Sequence, residues 1–269
     1  MPPTSRTSAS SQPLPKWRLS YLYDLLRELV SRDMKLLYKR SLLGIAWTLI
    51  NPLMQLAVFV FVFQLVFSMD IPHYASFVFT GLLVWTWFQN ALFQATGVIM
   101  SNRAMIRQPG FPNAILPIVI TTTGYIHFLF ALPVLIGFLL IDGIQLQPVV
   151  LLLPVIQVLQ FAFTISLSYV LAALNVTFRD TQHTLGVLLQ LLFYLTPIFY
   201  SAANIPPQYL PLYNLNPMVT IVTAYRNILI DGVMPNLTLL LAIAIFTAIA
   251  LPLGLTYFRS TSDRFVEEL

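Results

Sequence analysis

From position 41 to position 258 the chain is a succession of long uncharged runs, 41–69, 71–102, 108–141, 143–178, 181–225 and 232–258. Single charges or close groups of charges interrupt them: Asp70, Arg103 with Arg107, Asp142, Arg179 with Asp180, Arg226, and Asp231. About 20 apolar residues in a helix cross the roughly 30 Å hydrocarbon core of a bilayer. Lipid offers no hydrogen bonds, so a crossing backbone must satisfy itself, which favours helices. The pattern predicts an all-α integral membrane protein of six transmembrane helices, near 43–68, 75–100, 114–141, 148–175, 184–200 and 236–258. The run 181–225 is longer than one crossing needs. Its second part and the residues that follow, 201–235, carry Pro206, Pro207, Pro211, Pro217 and Pro235, and the apolar stretch 218–230 is too short to span and contains Arg226. This region reads as an outer-side excursion with short interfacial or re-entrant helices between the fifth and sixth spans. An ordinary outer loop with one surface helix is the plainer alternative.

Before the first span the period changes. Leu22, Leu25, Leu26 and Leu29 recur at helical spacing, continued by Val30, Met34 and Leu37, while Asp24, Arg27, Glu28, Arg32, Lys35 and Lys39 take the other faces. Glu28 and Arg32 have the i,i+4 spacing of a favourable ion pair. A basic amphipathic helix beside a span lies in the headgroup layer, so 20–42 is expected to be an interfacial helix. It could be an anchor alone, or also part of a gate or docking surface. The organisation that follows is a disordered Pro/Ser-rich tail at 1–19, the interfacial helix at 20–42, a membrane domain at 43–258 and a tail at 259–269. Residues 1–16 lack the apolar stretch of a signal peptide. No internal repeat is visible, so an inverted-repeat architecture has no support.

Charge sets the orientation, because Lys and Arg near spans stay on the cytoplasmic side. With both termini inside, thirteen of the 14 Lys and Arg residues fall inside and only Arg226 outside. Composition then removes function classes. With 58% hydrophobic and 9% charged residues, one membrane domain uses up the chain. Cysteine is absent, which excludes disulfides and thiolate metal sites. The basic residues lie at helix ends, which is no signature of nucleic-acid binding. No Asp, Glu, Lys or Arg lies mid-span, unlike carriers coupled to protons or sodium, which bury such groups. His127 is the one ionisable group well inside a span and reads as a packing residue rather than a relay. His73 and His183 fall in loops on opposite sides, so no metal cluster forms. No nucleophile elbow, zinc-binding His pair or phosphate-binding Gly-rich loop is present. If ATP drives this protein, a second chain binds it.

The aromatic residues are the remaining candidates. Phe59, Phe63 and Phe67 stand at i, i+4 and i+8 on the first span, and Phe193, Tyr194, Phe199 and Tyr200 cluster in the fifth. Aromatic faces carry sugar rings and Tyr hydroxyls can bond their hydroxyls; for any single Phe, packing or lipid contact is the commoner role. Trp85 and Trp87 read as packing or interface residues.

Several short pieces, in order, resemble one family. They are Arg32-Asp33-x-Lys35, Tyr38-Lys39, Ser41-x-Leu43-Gly44, Trp47 and Asn51-Pro52, then Phe111-Pro112 with Leu116-Pro117, Phe178-Arg179-Asp180, Thr196-Pro197-Ile198-Phe199-Tyr200, Ile205-Pro206, Asn216-Pro217 and Tyr225-Arg226. Over about residues 20–260 the chain resembles the ABC-2 type permeases that export O-antigen, capsular polysaccharide and teichoic acid. One departure is Gln108-Pro109-Gly110, where such permeases often carry Lys and an apolar pair before Phe-Pro.

The resemblance implies a homodimer in the bacterial cytoplasmic (inner) membrane, paired with separate nucleotide-binding subunits that hold ATP-Mg, this chain binding no cofactor. It also implies a polyprenyl-pyrophosphate-linked glycan as substrate. On that basis the expected substrate path comprises Phe59, Phe63, Phe67, Phe193, Tyr194, Phe199 and Tyr200. Lys35, Lys39 and Arg40 are expected at the pyrophosphate or lipid headgroup, with simple topogenic charge as the alternative. Arg27, Glu28, Arg32, Arg103 and Arg107 are expected to couple to the ATPase. A permease for a drug or simple lipid, or a membrane enzyme acting on a lipid-linked sugar, are the competing readings.

Overall fold

The computed structural model describes residues 19–38, 46–202 and 205–268. The tail 1–18, the junction 39–45 with Lys39 and Arg40, 203–204 and 269 lie outside the described residues, and with them the expectation of a disordered tail. Among the described residues every regular element is a helix. In chain order they are α1 (Leu19–Tyr38), α2 (Trp47–Phe59, continuing as a π-helical segment Val60–Val66), α3 (Tyr74–Ser101), α4 (Arg103–Ile106) and α5 (Ile115–Ile141). Then follow α6 (Leu153–Thr177, led in by a 3-10 segment Pro148–Leu152), α7 (Thr181–Leu195), α8 (Leu210–Asn214), α9 (Pro217–Arg226, continuing as a π-helical segment Asn227–Asp231) and α10 (Leu237–Glu268).

Four of these stretches are long and apolar enough to cross a membrane: 47–66, 115–141, 148–177 and 237–262. Two expected crossings differ from that description, each for a physical reason. α3 has the length, 28 residues, but is less apolar. It is the central helix, packed against α2, α5, α6, α7 and α9, and most of its residues are buried. Several of its polar groups face protein rather than lipid and are satisfied there, whereas Asn90 and Gln94 are exposed. Thr80 and Thr96 donate to the carbonyls of Ser76 and Leu92, and the Gln160 amide of α6 donates to the Val84 carbonyl at 3.0 Å. A helix sheathed by other helices need not match hydrocarbon. α7, expected over 184–200, has 15 residues and stops at Leu195. Pro197 disfavours helical backbone at the preceding residue, and Thr196 is extended (φ −93°, ψ 132°).

α10 departs in the other direction. The helix continues past the expected span end at 258 through the expected tail, to Glu268. Phe258 and Phe265, both fully buried, join Leu29 and Val30 of α1, Ile106 of α4, Ile115, Leu116 and Val119 of α5 and Tyr169 of α6 in one cluster at the end of the bundle next to α1. The amphipathic face read from the sequence is therefore pressed onto the bundle's own helix ends. Further along, α10 meets α6 closely: a Cβ at Gly254 would lie 2.8 Å from the Ser166 carbonyl. Small residues permit such backbone approach, which is how helices adhere where hydrophobic burial gives no drive.

The region 201–235 does form short helices. α9 is not a surface helix: Met218 to Val222 and Ala224 to Arg226 are buried against α3, α6 and α10. Asn216 caps its start by accepting from the Met218 N–H at 3.0 Å, with Pro217 in the first turn. This is the usual chemistry of a helix N-terminus. That start lines an apolar cavity with Trp85 and Phe88 from the middle of α3, whereas Arg226 at the other end reaches Phe77 near the start of α3. α9 thus runs alongside the half of α3 away from α1, from Phe77 to Phe88, and 201–235 turns back into the bundle.

Candidate functional site

The aromatic residues of the first and fifth segments, separated by more than 100 positions in sequence, form one stacked seam. Phe199 is its centre, with ring centroids 5.2 Å from Phe59 and 5.0 Å from Phe63, both stacked. Phe193 lies 6.1 Å from Phe59 and 6.0 Å from Phe199, and Tyr194 meets Phe193 edge-on at 5.4 Å. Phe67 extends the line from Phe63 at 6.0 Å, and Tyr200 stands 5.1 Å from Phe199. The Tyr200 hydroxyl donates to the Tyr194 carbonyl at 3.1 Å and contacts the Tyr213 hydroxyl at 3.3 Å. Phe67 and Tyr194 are exposed; Phe59, Phe63, Phe193, Phe199 and Tyr200 are half-buried. The seam is therefore an open aromatic surface on one side and a packed layer on the other. Trp85 is buried behind it, 6.0 Å from Phe193, whereas Trp87 is buried against Tyr125 and Phe128 of α5.

The geometry of α2 sustains this line. Past Phe59 the helix widens into a π segment, which changes the angular advance per residue while Phe59–Phe63 (5.9 Å) and Phe63–Phe67 remain in ring contact.

Just past the end of α7, the carbonyls of the non-helical chain at Pro197 and Ile198 need donors. In a dry interior an unpaired carbonyl is costly. Arg226 supplies them. Its Nη1 and Nη2 donate to the Pro197 and Ile198 carbonyls, at 2.7 Å for the latter, and its Nε donates to Phe77 O at 3.1 Å. The guanidinium lies 3.4 Å above the Phe77 ring, and the residue is buried. Gly81 leaves it room, since a Cβ there would stand 2.7 Å from Nη2. Asn216 completes the join by donating to the Thr196 hydroxyl at 3.0 Å. One cation thus fastens α3, the broken end of α7 and α9 together, directly behind Phe199. Sequence reasoning read Arg226 only as the one outward cation. The available signal was an arginine within an apolar segment with no acidic residue closer than Asp231, since such a group buries only with partners.

At the opposite end, α1 and the segment after α3 are neighbours. Arg32 donates to Met105 Sδ at 3.0 Å, and Ile106 packs with Leu29 and Val30. The expected Glu28–Arg32 pairing is replaced: Arg32 forks onto Asp33 Oδ1, with Nη2 at 2.7 Å and Nε at 3.0 Å. Arg27, Glu28, Lys35, Arg103 and Arg107 are exposed around this joint. The residues expected to couple to an ATPase lie on or beside these two joined elements. Lys39 and Arg40 fall outside the described residues.

The profile of the ABC-2 type transporter family matches residues 24–230. The chain is 34% identical over 247 residues to the O-antigen export system permease protein RfbA of Myxococcus xanthus, covering 91% of this chain and 95% of that one. It is 32% identical over 255 residues to the protein of the same name from Klebsiella pneumoniae, covering 94% and 98%. With the polysialic acid transport protein KpsM of Escherichia coli the identity is 23% over 243 residues, covering 86% and 91%.

Proposed function

The chain belongs to the ABC-2 type transporter family, and on that premise we propose that it is the permease of an exporter carrying a lipid-linked polysaccharide across the bacterial inner membrane. It is a multi-pass membrane protein and a transport subunit; an ABC ATPase is the partner that such a subunit implies. The observation that carries the polysaccharide reading is the match, over nearly the whole of both chains, to permeases of O-antigen export. The seam supports it, because stacked Phe and Tyr faces with Tyr hydroxyls at the edge suit sugar rings. In this reading the protein works as a homodimer, α3 and α7 cross with the four apolar stretches to make six spans, and α2 and α7 line the path. The substrate is a polyprenyl-pyrophosphate-linked glycan of O-antigen, capsule or teichoic-acid type. Deleting the gene should abolish surface polysaccharide while lipid-linked glycan accumulates inside; an unaltered surface would sink the proposal.

The surface formed by α1 and residues 101–112 is the ATPase docking face in this proposal, because Arg32 and Met105 physically join its two parts. Reversing charge at Arg103 and Arg107 should leave the permease inserted but cut its co-purification with the ATPase and its transport about tenfold, equivalent to ~1.4 kcal/mol. Normal co-purification and transport would refute this assignment. Lys35, Lys39 and Arg40 are proposed to attract the pyrophosphate, each contributing roughly 1 kcal/mol near the membrane surface. Glutamine at all three should weaken glycan-stimulated ATP hydrolysis in a correctly inserted complex, with the deficit largest at low salt and shrinking as salt screens the attraction in the wild type. Wild-type stimulation would leave them only the topogenic role.

A further inference from the structure

A cavity of about 280 Å³ lies between α2, α3 and α5, on the other side of α3's tryptophans from the seam's packing, and no role has yet been given to it. α3 lines it with Thr86, Asn90 and Gln94, three polar side chains at i, i+4 and i+8. α2 adds Asn51, and α5 adds Thr123 and His127. Measured from the end of the bundle next to α1, Gln94 is seven residues from the end of α3, His127 twelve from the start of α5 and Thr86 fifteen from the end of α3. At ~1.5 Å per residue these parts of the polar wall span depths of roughly 10 to 22 Å from that end of the bundle. Apolar walls come from Trp47, half exposed at the mouth, and Trp87, which is buried and stacks on Phe128 at 5.2 Å. Gly124 leaves space for the Trp87 indole, since a Cβ there would lie 3.1 Å from its ring.

The lining marks this as a binding site rather than a packing gap: among the described residues it has carboxamides, hydroxyls, an imidazole and indoles, but no Asp, Glu, Lys or Arg. Carboxamides donate and accept at once. They match neighbouring hydroxyls on a ring, and a wall without cations cannot neutralise a phosphate. The volume is just below the roughly 300–1,000 Å³ of pockets for drug-sized ligands, so it fits a single ring.

We propose that this cavity binds one neutral sugar ring of the glycan on the α1 side of the membrane, before the glycan reaches the aromatic seam. The assignment rests on the export reading above. The absence of cysteine from the chain gives a direct test. Thr86→Cys and Gln94→Cys, with Ser101→Cys at the end of α3 as the control outside the cavity, are each produced with the ATPase in two strains. One strain makes the lipid-linked glycan; the other is blocked in sugar addition but still makes the polyprenyl carrier. Membrane vesicles are labelled with N-ethylmaleimide. Labelling of the two cavity cysteines should be slower by about threefold or more in glycan-containing vesicles, the protection given by ligand at roughly twice its Kd, with Ser101→Cys unchanged. Equal rates in the two strains overturn the assignment, and so does failure of both cavity cysteines to label in either, because the cavity would then be closed. The export reading stands or falls separately, on whether deleting the chain removes surface polysaccharide.

Discussion

Arg226→Met should unlock the half of the bundle away from α1 and lower stability by about 3–5 kcal/mol, because it strips donors from three carbonyls that no water replaces. Pro197 and Ile198 would lose their partners at the break after α7, and Phe77 O would lose its partner on α3. Methionine keeps much of the length, so cavity formation is a minor part of the loss. Arg226→Lys should recover only part of the stability. An ammonium is a point charge and cannot hold the forked pair of carbonyls as a guanidinium does. Gly81→Ala should act in the same direction, since its methyl would enter the space of Nη2, 2.7 Å from the added carbon. Thermal unfolding of the purified chain in nanodiscs reads all three. An Arg226→Met protein that melts with the wild type would show that the clamp contributes no stability, and an Arg226→Lys protein worse than Arg226→Met would overturn the geometric argument.

The second large effect concerns transport rather than stability. Phe63→Ala combined with Phe199→Ala removes the centre of the seam and should reduce export at least about tenfold, with membrane insertion and ATPase assembly retained. Each aromatic pair adds only about 0.5–1.5 kcal/mol beyond its burial, and both rings are half-buried, so the fold should survive. The informative comparison is Phe63→Leu with Phe199→Leu. Leucine keeps apolar bulk and loses the flat π face. A glycan path predicts that the leucine pair exports nearly as poorly as the alanine pair. Export by the leucine pair at the wild-type level would assign the seam to packing alone.

Much of this architecture was legible in the chain. The uncharged runs located the helices because hydrocarbon tolerates little else, and the leucine stripe located α1 because one of its faces must be buried. The i, i+4, i+8 spacing of Phe59, Phe63 and Phe67 revealed a face, and the pairing of that face with Phe193 and Phe199 followed in the structure. What local pattern could not give was three-dimensional satisfaction of polar groups. Hydropathy undervalues α3 because it is surrounded by protein, and overvalues 184–200 because a proline inside an apolar run does not alter its hydropathy enough to show the break. Arg226 looked like a topological cation since its acceptors are main-chain carbonyls, which leave no mark in a sequence. The stripe Thr86, Asn90, Gln94 was visible at helical spacing, yet only the approach of α2 and α5 turns it into the wall of a cavity. Likewise, Glu28 and Arg32 had the right spacing for an ion pair, but Asp33 and Met105 claimed the guanidinium.

The unbroken course of α10 has a mechanical consequence. Its 32 residues measure about 48 Å, against the ~30 Å of a hydrocarbon core. The surplus is a helical extension whose end is seated, through Phe258 and Phe265, in the same socket as α1. Four residues before Phe258 the Gly254–Ser166 contact holds the helix close against α6, and Pro252 beside it removes one helical hydrogen bond. A push of a few ångströms delivered at α1 is therefore neither damped by a loop nor confined to the membrane face. It should reach α6 first, through the Gly254–Ser166 contact, with Pro252 as the point where α10 can bend.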